Sequence, residues 1–406
     1  MAKIIKEGRI PATPHTEFYS EEGVLALEEI HGTLGFGGPW SRKLHYRYYP
    51  TEQVQEPFLA DFSFEAKVPQ GGTVLSPQII QTEEIPFQFD ALKGRSLLLN
   101  GPDTGVSVLK SRESFPKDVF FRNADRHEIF FVQNGTGVFS TEFGELPFKE
   151  GHYVIVPKGV TYRIDLTSSE LFLLLIESKF PIEWPEHYMN QGGQAHMMAP
   201  IVETEITTPE LKTPIDREGE YPIFIKHNGG RVTQVTLGHH PFDVIGWEGA
   251  LYPFIFDIND HHGIAREIHA APPMHQTFQA GQAPYCGFSI CSFVPQPEGW
   301  HEKEVPAPYA HYNVDSDEVM FFSNANYGAR KGIISNASLT FHPGSTPHSP
   351  HGQAALKSLD QRGKMSQRLA VMMDTFFESL EMTEEAYKYA DKSYALSWDR
   401  KNFPQK

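Results

Sequence analysis

Between Ser96 and Ser178 the chain is a series of short apolar runs, most of them ending at a turn: SLLLN, GVSVLKS, DVFFRN, HEIFFVQNG, TGVFSTEFG, HYVIVPKG, TYRIDL and LFLLLIES. Strands of this length, at this spacing and joined through Gly and Asn, fold as a sandwich or a barrel. The 33 glycines and 31 prolines among 406 residues supply turns for a mainly β protein. A hydrophobic content of 40% is enough for a large core, and the length suggests two or three domains.

The pattern returns later in the chain. NADRHEIFFVQNGTGVFS is echoed by NVDSDEVMFFSNANYGAR, and FKEGHYVIVPKGVTYRI by ISNASLTFHPGSTPHSP. The echo predicts an internal duplication and two β-barrel or jelly-roll domains. Residues 1–205 are expected to form an N-terminal β domain without metal, opening on an irregular segment. Residues 206–355 are expected to form the second barrel, in a β-rich block from Tyr221 to Pro350. Residues 180–225, rich in Pro, Glu and Thr, read as a connector that wraps the body. Residues 356–406 are expected to be a helical extension. There SQRLAVMMDTFFESL has apolar residues at helical spacing, and TEEAYKYADKSYAL opens on an acidic turn.

The two copies differ in their chemistry. The second carries His311 and, seven positions on, Glu318; His348 follows thirty residues later. A hairpin or barrel would bring that last imidazole back onto the first two residues. Two imidazoles and one carboxylate form the ligand set of a non-haem Fe(II) site with open positions. With nineteen histidines in the chain, one His-Glu pair is weak evidence. The fuller pattern H-x-N-x4-E followed by P-G-x-x-P-H is much stronger. In the first copy the late position falls near Tyr162, and His127 and Glu128, adjacent in a strand, point to opposite faces. That copy reads as a barrel that holds no metal. His239-His240 and His261-His262 read as turn pairs, and His275 as a possible neighbour of His269.

H-x-N-x4-E with a later His resembles the cupin double motif, with Asn in place of one of the usual histidines. WSRKLHYRYYP, STEFGELPFKEGHYVIVPKGVTYRIDL, PFDVIGWEG and SFVPQPEGW, in this order, extend the likeness to the homogentisate 1,2-dioxygenase family. The resemblance implies a bicupin and an Fe(II) centre held by His311, Glu318 and His348. It implies a reaction between O2 and a small aromatic diphenol in aromatic catabolism. His269 matches the catalytic His that works as acid or base on the substrate hydroxyl. His342 matches a substrate-contacting or ligand-supporting His. Tyr327 matches a substrate-binding Tyr, and Tyr309 an aromatic residue ahead of the first ligand. Arg330 is a candidate for binding a substrate carboxylate. A homo-oligomer, trimer or hexamer, is also implied. The family's pattern has one residue fewer between the first His and the Glu. An added residue flips side-chain direction unless a bulge absorbs it, so Asp315 or Asp317 competes with Glu318. His351 stands where the family's pattern has an acidic residue.

The net charge of −16 argues against nucleic acid, whose phosphates it would repel. Cys286 and Cys291 imply no disulfide framework, which fits a reducing cytosol. No leader with an apolar core opens the sequence, and no apolar run is long enough to span a membrane, so a cytoplasmic protein is expected. Two rival readings stay open at this level. One is a bicupin that binds a small ligand without catalysis. The other is a zinc or manganese isomerase or hydrolase on the same scaffold.

Overall fold

The computed structural model describes residues 4–13, 18–20, 23–32, 40–47, 50–197, 199–262, 275–282, 285–299, 301–325, 334–350, 352–399 and 401. Three large sheets form the body. One runs in the order Phe254–Asp257, His152–Val156, His127–Asn134, Leu171–Ser178, Thr104–Glu113, Arg95–Asn100 and Glu381–Met382, with Gln88–Asp90 paired to Thr104–Glu113. A second joins Gly144–Phe148, Gly137–Thr141, Thr161–Leu166, Phe120–Asn123, Glu218–His227, Arg231–His239 and Phe58–Leu59. The third joins Ile182–Glu183, Gln276–Ala280, Phe288–Phe293, Ala370–Thr375, Glu318–Phe322, Ser338–His342 and Gln78–Gln81. A smaller sheet of Ile5–Gly8, Val244–Gly249, Trp40–His45 and Leu27–His31 docks on the first barrel. Fully buried Trp247 anchors it by donating from Nε1 to the Phe143 carbonyl at 2.8 Å.

Side chains alternate between two cores along the His127–Asn134 strand. Phe130 meets Phe139 at 5.0 Å and Tyr162 at 6.2 Å between ring centroids, inside the first barrel. Phe131 points the other way, onto Tyr153 at 5.2 Å and Phe321 of the third sheet at 6.3 Å. Both faces of this sheet are therefore covered. That explains why its central strand, LFLLLIES, is apolar without alternation and buried at every position.

Two expectations are corrected. The segment SQRLAVMMDTFFESL is not a helix: Ala370–Thr375 is a strand between Phe288–Phe293 and Glu318–Phe322. A strand covered on both faces loses its period of two and imitates helical spacing. Helices do occur nearby, at Gln353–Ser358, Glu384–Lys388 and Ser393–Leu396, and all are short. The β block after Tyr221 also begins in the first half. Glu218–His227 pairs in parallel with Phe120–Asn123, and Phe254–Asp257 pairs with His152–Val156. Apolar patterning marks a strand but does not name its partner. The connector is pinned by Ile182–Glu183 against Gln276–Ala280 and by bridges Glu145–Glu210 and Thr207–Ile255. Cys286 and Cys291 are free thiols. No helix among the described residues is long and apolar enough to cross a membrane.

The sequence duplication is reproduced in strand register. In the first half Phe121 faces Tyr162, and Glu128 lies between Val156 and Glu177. In the second half His311 bridges His348, and Glu318 lies between His342 and Asp374.

Candidate metal centre

Two reciprocal backbone hydrogen bonds, His311 N to His348 O at 3.1 Å and His348 N to His311 O at 2.9 Å, hold the two histidines side by side. Each imidazole then donates its Nδ1 hydrogen to a nearby carbonyl. His311 uses Tyr309 O at 3.0 Å and His348 uses Thr346 O at 3.1 Å. With Nδ1 committed as a donor, the neutral ring keeps its lone pair on Nε2. Both Nε2 atoms face Glu318, at 3.7 Å from Oε2 for His311 and 3.3 Å from Oε1 for His348.

One ligand atom from each of the three residues lies within 4.8 Å of the others. A metal with bonds of about 2.0–2.2 Å to such atoms needs them roughly 3–4 Å apart, so small side-chain adjustments suffice. The buried Nε2 of His348 has no partner of hydrogen-bonding geometry, which a metal would supply. The side chains of Glu318 and His348 are 9% and 7% exposed, whereas that of His311 is 37% exposed. The centre thus opens to solvent on the His311 side, where Tyr309 stands exposed with its ring 6.0 Å from that imidazole.

The extra residue between His311 and Glu318 falls outside regular strand structure. Strand structure resumes only at Glu318, and the intervening turn absorbs the added length. Asp315 is exposed and is not among the three residues whose ligand atoms converge. Asp317 is consumed by backbone: its carboxylate accepts from Gly344 N and Leu380 N, both at 2.7 Å. Neither competes with Glu318.

His342 is not free to contact a ligand with its ring nitrogens. Its Nδ1 donates to Glu318 Oε1 at 2.8 Å, and its Nε2 meets Tyr394 Oη at 2.9 Å. The ring also stacks on His348 at 3.9 Å. His342 is therefore placed to orient Glu318, in the way outer partners orient metal ligands. Burial alone would raise the Glu318 pKa. The three surrounding imidazoles, His311, His342 and His348, outweigh it and hold the carboxylate well below its usual range. Glu318 in turn raises His311 above its ordinary value, against burial.

Two residues here were missed in the sequence. Asp374 is the register neighbour of Glu318, and its Oδ1 accepts from Asn313 Nδ2 at 3.3 Å. Burial, then the charge of Glu318, push its carboxyl upward. It was hidden inside the segment with helical spacing. Tyr394 comes from the short helix Ser393–Leu396, and no motif marks it. Among the described residues no lysine or arginine forms an ion pair with Glu318 or Asp374. A buried carboxylate without a lysine or arginine partner, facing two imidazole lone pairs, suits a divalent cation.

His269, Tyr327, Arg330 and His351 lie outside the described residues. His275 is buried with its ring on Phe293 at 4.9 Å. The other paired histidines are mostly buried. His239 meets Asp216 at 3.2 Å, His240 packs against Phe120, and His261 meets Thr277. Only His262 keeps the exposed position expected of such pairs.

Residues 100–258 match the family "Homogentisate 1,2-dioxygenase N-terminal", and residues 265–403 match "Homogentisate 1,2-dioxygenase C-terminal". A Saccharolobus solfataricus protein, named provisionally as a dioxygenase, is 32% identical over 97% of this chain and 98% of its own. Homogentisate 1,2-dioxygenase of Legionella pneumophila (strain Corby) is 26% identical over 97% of this chain and 94% of its own. Among solved structures, a cupin 2 conserved barrel domain protein of Leptotrichia buccalis covers 75% of this chain and 99% of its own. Its TM-score is 0.33 and its identity 9%.

Proposed function

The chain belongs to the homogentisate 1,2-dioxygenase family of the cupin superfamily, and from that premise we propose an Fe(II)-dependent enzyme that opens the ring of homogentisate or a closely related para-diphenol with both atoms of O2. The observation that carries this reading is the convergence of His311, Glu318 and His348 around one point, with the buried Nε2 of His348 lacking a partner. Held by His311, Glu318 and His348, Fe(II) would offer open positions to a phenolic oxygen and O2 and would stabilise the negative charge developing on them.

The chain's own residues do the rest. His342 fixes one oxygen of Glu318, so the carboxylate presents a single, oriented edge to the centre. Tyr309, at the exposed side, forms one wall against which an aromatic ring can lie. His269 is assigned the exchange of the phenolic proton, a task suited to a group that titrates near neutral pH. Tyr327 and Arg330 are assigned to substrate, Arg330 to its carboxylate. A homo-oligomer, trimer or hexamer, completes the reading and is checked by sedimentation.

The deciding experiment is anaerobic reconstitution with Fe(II), followed by oxygen uptake on homogentisate, gentisate and substituted hydroquinones. One iron per chain and uptake on at least one diphenol are expected. His348→Ala should lose both. A chain that holds iron but consumes no oxygen with any diphenol sinks the assignment.

A further inference from the structure

The first barrel repeats the framework of the metal centre position by position. Phe121 and Tyr162 face each other as His311 and His348 do. Glu128 sits between Val156 and Glu177 as Glu318 sits between His342 and Asp374. Asn123 donates to Glu177 at 2.7 Å, as Asn313 donates to Asp374 at 3.3 Å. What differs is the source of positive charge. Arg95 reaches into the first barrel, donating from Nη1 to Glu128 Oε1 at 2.6 Å and from Nη2 to Tyr162 Oη at 2.5 Å. Tyr162 Oη itself donates to Glu128 Oε2 at 2.9 Å. The guanidinium carbon lies 4.4 Å from the Phe121 ring centroid and 5.7 Å from that of Phe130. Lys226 neutralises Glu177.

We propose that the first barrel holds a cation site of the same construction as the metal centre, permanently filled by the guanidinium of Arg95. The proposal rests on reading His311, Glu318 and His348 as metal ligands. A buried carboxylate needs a positive partner, and either a metal or an arginine meets that need. The arginine brings its own charge on a tether, donates to oxygen and accepts from nothing. Its neighbours need no lone pairs, so Phe121 and Tyr162 replace the two imidazoles and offer a π-face and a phenol instead. The side chains of Arg95 and Glu128 are only 4% and 1% exposed, so the pair is held away from solvent. The consequence is one divalent ion per chain. The first barrel becomes a fixed wall whose far face, through Phe131 and Tyr153, supports the sheet that carries Glu318.

The test is titration with Co(II), read by its visible absorption and by equilibrium dialysis. Wild type should bind one ion per chain, and His311→Ala/His348→Ala none. Adding Arg95→Ala, Phe121→His and Tyr162→His to that silenced background should restore one ion, held by Glu128 and two new imidazoles. A folded variant of this kind that binds no cobalt overturns the proposal. If wild type binds none while the rebuilt variant binds one, the reading of the second barrel fails and with it the shared construction, and only the exchange of Arg95 for a metal in the first barrel is supported. A stability cycle covers the case of a rebuilt chain that does not fold. Arg95→Met should lower the melting temperature, and Arg95→Met/Glu128→Gln should melt above Arg95→Met, because the second change removes the stranded charge. A double variant melting at or below the single one also overturns the proposal.

Discussion

Glu318 shows how far a single side chain depends on its neighbours. Its type and its spacing from His311 are visible in the sequence. Its ionisation is set by three imidazoles, one of which no metal pattern requires. The same dependence governs histidines far from the centre. Burial, then the charge of Lys158, push His127 down to about 3. Burial, then His275 and His262, do the same to His261. The unfolded chain takes up these protons near 6.5, the ordinary value, and the folded chain only near 3. Between those limits the unfolded state holds more protons, so stability rises with pH and is lost as pH falls below about 6.5. Each group contributes a slope of up to about 1.4 kcal/mol per pH unit. Urea unfolding at pH 7, 6 and 5 should show this loss, and His261→Gln should flatten it. A slope unchanged by that substitution counts against the assignment.

At the scale of elements, the strand Ala370–Thr375 and the short helix Ser393–Leu396 matter most, because both arrive from the tail to finish the centre. The strand brings Asp374 beside Glu318. The helix brings Tyr394 onto His342, and Tyr394 is itself packed against Trp398. Removing the phenolic oxygen frees His342 to turn and loosens Glu318. Tyr394→Phe should therefore weaken Co(II) or Fe(II) binding by about tenfold, the lower end of the effect of an outer partner. Competition with a chelator measures it, alongside a melting curve that separates lost affinity from lost fold. Unchanged affinity in a folded variant would show that His342 is held by packing alone.

The two halves are joined through an aromatic seam and exchanged edge strands. Phe321, 1% exposed, touches Phe131 and Phe172 of the first half. Gln78–Gln81 completes the second-half sheet, while Glu381–Met382 completes a first-half sheet. Halves tied in this way should unfold together. Phe321→Ala should cost about 3–5 kcal/mol, within the range for a buried phenylalanine. Denaturant unfolding followed by both fluorescence and circular dichroism should still give one coincident transition. Two separate transitions would mean that the halves are independent and the seam is incidental.

Local chemistry is written in a sequence, and partners at a distance are not. The strand runs, the duplication and the triad of His311, Glu318 and His348 were legible because each rests on neighbouring residues or on a repeated spacing. The tail strand was misread because burial on both faces erases the period of two. Asp374, Tyr394 and Arg95 left no local signal, since each acquires its role from a chain segment brought beside it by folding. The sequence by itself determined which groups could bind a cation. The tertiary structure decided which barrel meets that demand with an arginine and which sets a carboxylate against two imidazole lone pairs. The physical reason is that a buried charge is settled by what packs against it, whatever its distance along the chain.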